Sequence, residues 1–195
     1  MEHRHEGSSL RHHISTLTVV GWIVAACLTL RAMVQEGMFL GQTIPIIPGL
    51  FGLRYLRNPR AAFSLLSTAP EWLGAPFFSA VEVLALMALT FISIREEHES
   101  WRPRTGLAGV AGGAASNLVQ RLLAGDVVDY PDPYVGSYQW PTFNLADTTI
   151  SIGLGLLLLD QLWARRATSL AADGGGETHH ERVRIHERLK EPGEP

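Results

Sequence analysis

The chain has 195 residues, enough for one domain with a tail, and its net charge of −3 excludes the basic surface with which proteins gather nucleic acid. Its single cysteine, Cys27, excludes an internal disulfide and any zinc site built on paired cysteines. Charged residues make up 18% of the sequence, below the roughly 25% of ordinary soluble domains, so a membrane protein remains open. The mean hydropathy of +0.10 is low for a membrane protein, but the polar ends of the chain lower this average.

Four apolar stretches of about 18 residues divide the chain, at 17–34, 77–94, 105–122 and 146–163. A helix of this length covers roughly 27 Å, close to the hydrocarbon thickness of a bilayer. A soluble four-helix bundle is the alternative, but its helices would need charged faces at helical spacing, which these stretches lack. The sequence therefore predicts an all-α membrane protein with four transmembrane helices in a domain covering 1–163.

The loops and ends of the chain predict an orientation. Four crossings place both termini on one side, and a mild excess of arginine next to that side favours cytoplasmic termini. The loops at 35–76 and 123–145 then face outward. Two strand-like pieces, at 43–50 and 51–56, predict a small extracytoplasmic β-like region, and the prolines of the first allow only an edge strand or an extended arm. Residues 164–195 are predicted to form a polar, flexible cytoplasmic tail.

The third stretch contains Gly109 and Gly113 in a GxxxG pattern. Small residues at this spacing let helix backbones approach each other closely in lipid. We therefore expect a packing role for the two glycines and assign them no chemistry.

Asp129 and Asp147 are the ionisable residues with the clearest chemical potential. One loop joins the third and fourth stretches, so both aspartates lie at the same face of the membrane. Two carboxyl groups held close together cannot easily both ionise, and the pair then offers an acid and a base for activating water against a peptide carbonyl. The alternative is structural, with Asp147 as a helix N-cap and Asp129 as a turn residue, and spacing alone leaves it open.

The segments that carry these aspartates resemble a known family. Residues 115–129 read ASNLVQRLLAGDVVD and residues 141–153 read PTFNLADTTISIG. They resemble the lipoprotein signal peptidases (signal peptidase II), membrane aspartic peptidases of bacteria with G-N-L-x-D-R, V-V-D-F and F-N-x-A-D motifs. Upstream, 57–64 resembles the R-N-x-G-A-A-F-S element of that family. The resemblance runs from about residue 20 to residue 163, and the motifs keep their order and spacing.

The resemblance implies a function and a set of site residues. Asp129 and Asp147 would be the catalytic pair of an aspartic endopeptidase that cuts signal peptides from prolipoproteins before a lipid-modified cysteine. The residues implied to shape the site and hold the substrate are Asn58, Asn117, Arg121, Asn144 and Ala146. The implied location is the bacterial inner membrane, with the site at its outer interface. The implied partners are diacylglyceryl-modified prolipoproteins and membrane lipids, no metal or organic cofactor is implied, and we expect a monomer.

Several positions depart from the family pattern. In the first stretch, Cys27 stands where the family has aspartate, and Arg31 stands where it has lysine. The other replacements are Gln120 for aspartate, Ser116 and Arg60 for glycine, and Tyr130 for phenylalanine. Two supporting acids are therefore missing, while the catalytic pair survives.

The loss of these acids leaves Arg31 and Arg121 in need of counter-charges. An arginine within a transmembrane helix costs about 3 kcal/mol on insertion scales and is almost always paired. Glu82 lies inside the second stretch. We therefore expect Glu82 to pair with Arg31 or with Arg121.

Two other functions remain open. A catalytically weakened relative would bind lipidated peptides, or regulate a paralogue, without cleaving, and the replacements at Cys27, Arg60 and Gln120 favour it. A structural or transport role for a small membrane protein is the second alternative. Its support is the glycine-rich third stretch, and GxxxG patterns are common in packed membrane helices.

Overall fold

The computed structural model describes residues 2–59, 74–95 and 101–188. The elements in chain order are α1 (Glu2–Gly37), β1 (Thr43–Ile47), β2 (Phe51–Asn58), α2 (Ala75–Arg95), α3 (Trp101–Ala124), β3 (Val127–Val135), β4 (Tyr138–Gln139) and α4 (Leu145–Arg188). The chain divides into two compact units, Met1–Leu157 and Leu158–Pro195. The residues expected to form the site all belong to the first unit.

Three helices within the described residues are long and apolar enough to cross a membrane, at Ile14–Gly37, Ala75–Ser93 and Leu145–Arg166. They confirm three of the predicted stretches, but the prediction of four is not confirmed. The exception is α3, which is long enough but too polar. The residues that lower its hydropathy are Arg102, Arg104, Asn117, Gln120 and Arg121, together with several glycines. Because α3 packs against α1, α2 and α4, other helices cover much of its surface.

The structure contains a four-stranded antiparallel sheet in the order β1-β2-β3-β4. The strands β1 and β2 lie where strand-like pieces were predicted, whereas β3 and β4 were not predicted as strands. The expectation of an all-α fold is therefore wrong in this part of the chain. As predicted, the proline-containing β1 is an edge strand paired with β2. In the β2–β3 register, Leu56 lies opposite Asp129 and Asn58 opposite Val127, which brings the end of β2 to the start of β3.

The start of β3 is fixed to α1 through a small apolar core. This core contains Val34, Tyr55, Val128 and Tyr130. Because side chains alternate along a strand, Asp129 points to the opposite side from its two apolar neighbours. Gly125 precedes the strand with φ +75°, and its N–H donates to the Arg121 carbonyl at 2.8 Å. This left-handed residue ends α3 and turns the chain into β3.

The GxxxG pair lies at the contact between α3 and α4, as expected for close packing. A Cβ atom at Gly109 would lie 3.0 Å from the Thr149 carbonyl oxygen, and one at Gly113 would lie 2.5 Å from the Ala146 carbonyl oxygen. Both distances are to backbone, which cannot move aside easily. Larger residues would therefore push the two helices apart.

The last helix continues beyond the expected end of the fourth stretch at residue 163. It reaches Arg188, so most of the predicted tail, 164–188, is helical. Its first part, at 164–172, contains four alanines and two arginines, residues that favour helix. The flexibility of the tail stays a prediction.

Candidate active site

Asp129 is almost fully buried, at 1% exposure, and both of its carboxylate oxygens accept hydrogen bonds from side-chain amides. Asn58 Nδ2 donates to Oδ2 at 2.9 Å, and Asn144 Nδ2 donates to Oδ1 at 2.9 Å. Asn58 is the last residue of the neighbouring strand β2, and Asn144 immediately precedes α4. Asp129 is thus a buried strand residue, which corrects the alternative that it only forms a turn.

Asp147 lies in the first turn of α4 and forms a reciprocal cap with Asn144. The Asp147 N–H donates to Asn144 Oδ1 at 3.0 Å, and the Asn144 N–H donates to Asp147 Oδ2 at 3.3 Å. This is a capping-box arrangement, in which each residue satisfies a backbone donor of the other. Asn144 is therefore the N-cap, and the alternative that gave this position to Asp147 is wrong. The second carboxylate oxygen, Oδ1, accepts from Asn117 Nδ2 at 3.1 Å.

Asn144 joins the two aspartates. Its side-chain amide donates to Asp129, while its backbone N–H donates to Asp147. The backbone around it is also fixed, since the Tyr130 N–H donates to the Phe143 carbonyl at 2.9 Å. A strand residue and a helix residue, separated by eighteen positions in the sequence, are thus held against one asparagine.

The close packing of α3 on α4 explains how Asn117 reaches Asp147. Gly113 lies one turn before Asn117, and it contacts the backbone of Ala146 without an intervening side chain. Ala146 itself is fully buried, at 0% exposure. Because the helices are in backbone contact here, a short asparagine side chain spans the gap.

The prediction for Glu82 is confirmed for one of its two possible partners. Arg121 Nη1 donates to Glu82 Oε1, which joins α3 to α2. The guanidinium carbon of Arg121 also lies 5.7 Å from the centre of the Phe78 ring. Arg31 instead donates to Gln35 Oε1 at 3.2 Å and to the Gln120 carbonyl oxygen at 3.5 Å.

The replacements at the contact between α1 and α3 form neutral interactions. Gln120 is buried, and its Oε1 accepts from the Val128 N–H at 3.4 Å. Its Nε2 donates to Ser116 Oγ at 3.5 Å, and the Cys27 thiol also contacts Ser116. Gln120 thus supports the strand residue next to Asp129. Arg60 and the neighbouring 61–64 lie outside the described residues.

Burial raises the pKa of Asp129 to about 6. Hydrogen bonds from Asn58 and Asn144 oppose the rise, because they stabilise the charged form. The negative charge of Asp147 adds to the rise, and the positive charge of Arg121 opposes it. Asp129 therefore exchanges its proton close to neutral pH, within the range needed for acid–base chemistry.

An ion pair beside the site was not predicted from the sequence. Arg57 Nη2 lies 2.6 Å from Asp126 Oδ2. Arg57 precedes Asn58 on β2, and Asp126 lies three residues before Asp129 in the chain. Arg57 is 44% exposed, so the pair contributes modestly to stability. The sequence feature that could have revealed this ion pair is the opposite charge of Arg57, near the end of β2, and Asp126, just before β3.

Comparison with known proteins identifies the family. The sequence profile described as "Signal peptidase (SPase) II" matches residues 19–163. A lipoprotein signal peptidase of Syntrophus aciditrophicus is 38% identical over 70% of this chain and 84% of its own length. One of Geobacter sulfurreducens is 38% identical over 80% of this chain and 95% of its own length.

A solved structure agrees with these sequence matches. It is described as a bacterial membrane enzyme determined by the in meso method, and it is 25% identical to this chain. It matches with a TM-score of 0.67, covering 76% of this chain and 87% of its own. The chain therefore belongs to the signal peptidase II family of membrane peptidases.

Proposed function

We propose that this enzyme removes signal peptides from diacylglyceryl-modified prolipoproteins by cutting before the lipid-modified cysteine, with Asp129 and Asp147 as its catalytic pair. The names of its relatives support the substrate class. The observation that carries the choice of residues is Asn144, which donates one hydrogen bond to each carboxyl group. Because Asn144 donates to both buried aspartates, it holds them near each other, as a pair of carboxyl groups that shares a proton requires.

The chemistry follows from that shared proton. The ionised carboxyl group accepts a proton from a water molecule, whose oxygen forms a bond to the peptide carbonyl carbon while the carbonyl π electrons move to the carbonyl oxygen. These electrons re-form the carbonyl bond when the carbon–nitrogen bond breaks. The neutral carboxyl group supplies the proton that the peptide nitrogen needs when the carbon–nitrogen bond breaks. Asn58, Asn117 and Asn144 hold the carboxyl groups in place, so little reorganisation is needed during the reaction.

Arg121 and Ala146 are proposed to shape the site around the pair. The positive charge of Arg121 opposes part of the rise that burial causes in the pKa of Asp129, and it therefore favours ionisation of one member of the pair. Ala146 is small enough to let α3 and α4 meet at the level of the acids. We propose that the scissile bond of the substrate peptide is brought to this pair.

The membrane setting is part of the proposal. We propose that α3 crosses the bilayer with the three apolar helices, shielded from lipid by its contacts with them. Both termini then lie in the cytoplasm of a bacterial cell, and the sheet and the acids lie at the outer face of the inner membrane. This location suits a substrate whose scissile bond is held near the surface by its lipid. We propose that the enzyme acts as a monomer.

Cleavage by purified protein tests the proposal. The full-length enzyme in detergent is incubated with a diacylglyceryl-modified prolipoprotein, and cleavage is followed by gel mobility and mass spectrometry of the products. Asp129→Asn and Asp147→Asn should each reduce the rate by at least about a thousandfold, because neither variant retains both an acid and a base. Asp132→Asn is the matched control, since Asp132 is a buried acid of the same strand outside the site.

The control should keep the parental rate, and the parent should show a bell-shaped pH profile. Cleavage that survives in either active-site variant would contradict the assignment of the pair. A parent that binds the substrate without cutting it would favour the weakened relative instead, for which the replacements at Cys27 and Gln120 are the supporting observation.

A further inference from the structure

The largely buried ion pair between Arg121 and Glu82 links the site to α2, which also contacts Arg121 through the ring of Phe78. The side chains of the two residues are 4% and 14% exposed. Glu82 lies in the apolar helix α2, where no residue of the candidate membrane window is buried and most side chains are apolar. A carboxylate in such a helix is costly unless it serves a partner, and the partner here is the guanidinium of Arg121.

Arg121 lies directly next to the proposed catalytic pair. It follows Asn117, the residue that donates to Asp147, by one turn of α3. Its positive charge acts on Asp129, and the charges of Glu82 and Asp147 are close enough to act on each other. The described charged groups that act on Glu82 are thus Arg121 of α3, which contacts it, and Asp147 of α4, while Arg121 also acts on Asp129 of β3.

We propose that Glu82 is a positioning residue that holds Arg121 in place and sets the charge balance of the catalytic pair. The proposal rests on the proposed function, since it concerns the same two aspartates. It assigns to α2 a role that neither the motifs nor the comparisons give it. Gln120 and Cys27 stand where the family has aspartates. In this chain Glu82 of α2 then supplies a carboxyl group from a different helix.

The charge balance can be counted from the described groups. The carboxyl groups of Glu82, Asp129 and Asp147 lie near the guanidinium of Arg121. When the two aspartates share one proton, the opposite charges of Arg121 and Glu82 cancel each other. Without the charge of Glu82, the full positive charge of Arg121 would act on Asp129 and Asp147. A nearby positive charge favours ionised carboxyl groups, so the pair would lose its shared proton at a lower pH.

The pH dependence of cleavage by Glu82→Gln tests this role. The variant should have its optimum shifted toward acid by about one pH unit, with a lower rate at neutral pH and a smaller change in KM. Glu36→Gln is the matched control, because Glu36 is an exposed acid near the end of α1. Its optimum should equal that of the parent. A lower rate with an unchanged optimum in Glu82→Gln would show that Glu82 is only structural, and would overturn the proposal.

A second variant covers the case in which Glu82→Gln fails to fold. The double variant Glu82→Gln/Arg121→Gln contains no unpaired buried charge, so it should fold and have its optimum restored to within about 0.3 pH units of the parent, at a reduced rate. An acid-shifted optimum in the double variant would also overturn the proposal. Failure of the proposed function is distinguishable from both outcomes, because in that case the parent itself does not cleave.

Discussion

The two aspartates of the site are held in different ways. Asp147 is fixed mainly by local contacts, since its reciprocal bonds with Asn144 span three residues. Asp129 depends on side chains that are distant in the sequence, with Asn58 seventy-one residues away and Asn144 fifteen. One acid is therefore placed when a helix starts, and the other only when the sheet and the helices have assembled.

This difference predicts which substitutions damage the site most. A change at Asn144 affects both aspartates at once. A change at Asn58 affects Asp129 alone, and a change at the contact of α3 with α4 acts on the site only through the packing of helices. The following three variants test this order, from the largest expected effect to the smallest.

Asn144→Ala removes the bond to Asp129 and the side-chain acceptor that caps α4. The two losses together correspond to about 3 kcal/mol, so kcat/KM should fall about a hundredfold or more. Asn144→Ser separates the two roles, because serine still caps a helix but cannot reach Asp129 in the same way. This second variant should keep the parental melting temperature and still lose most of the activity. Equal activity in Asn144→Ser and the parent would contradict the role of Asn144 at Asp129.

Asn58→Ala removes one of the two amide bonds to Asp129. The bond stabilises the charged form, so its loss raises the pKa of Asp129 above about 6 and moves the acidic limb of the rate profile to higher pH. The rate should fall about thirtyfold, corresponding to about 2 kcal/mol. This shift is opposite in sign to the one expected for Glu82→Gln.

Gln139→Ala is the control for Asn58→Ala. Gln139 Nε2 donates to both oxygens of Asp132, at 2.8 and 2.9 Å, so the control breaks amide–carboxylate bonds in the same sheet. Its pH profile should match that of the parent. If both variants shifted the profile equally, the effect of Asn58 would be a general effect of the sheet.

Gly113→Ala should have the smallest effect on chemistry and a clear effect on stability. The added methyl group would lie 2.5 Å from the Ala146 carbonyl oxygen, and overpacking of this kind costs about 1–3 kcal/mol. The measurement is the melting temperature in detergent. Gly155→Ala is the control, because a methyl group there meets nothing within 4 Å. A melting temperature as high for Gly113→Ala as for the control would show that the helices can separate without loss.

The sequence predicted the apolar helices and a pairing of Glu82 with either Arg31 or Arg121, because both follow from strong physical requirements. Long apolar stretches have few stable folds in lipid, and a buried arginine requires an acid. The close approach at Gly113 was predictable for the same reason. These features depend on residue type and spacing, which the sequence contains directly.

The features that the sequence did not predict depend on three-dimensional detail. The hydropathy of α3 is lowered by residues such as Asn117 and Arg121 that face protein, so composition alone could not establish whether it crosses the membrane. The ordered sheet was obscured by prolines and glycines in its strands. The structural alternative gave the N-cap of the last helix to Asp147. An asparagine three residues before an acid is a capping-box pattern, and this pattern indicates Asn144.

The double use of Asn144 has a consequence for the life of the protein in the cell. Asn144, the residue that caps the start of α4, also contacts both proposed catalytic acids, so a chain in which α4 has not yet formed has no complete candidate site. If Asp129 and Asp147 are the catalytic pair as proposed, activity begins only when α4 has formed. Maturation of the enzyme and onset of its activity become one event.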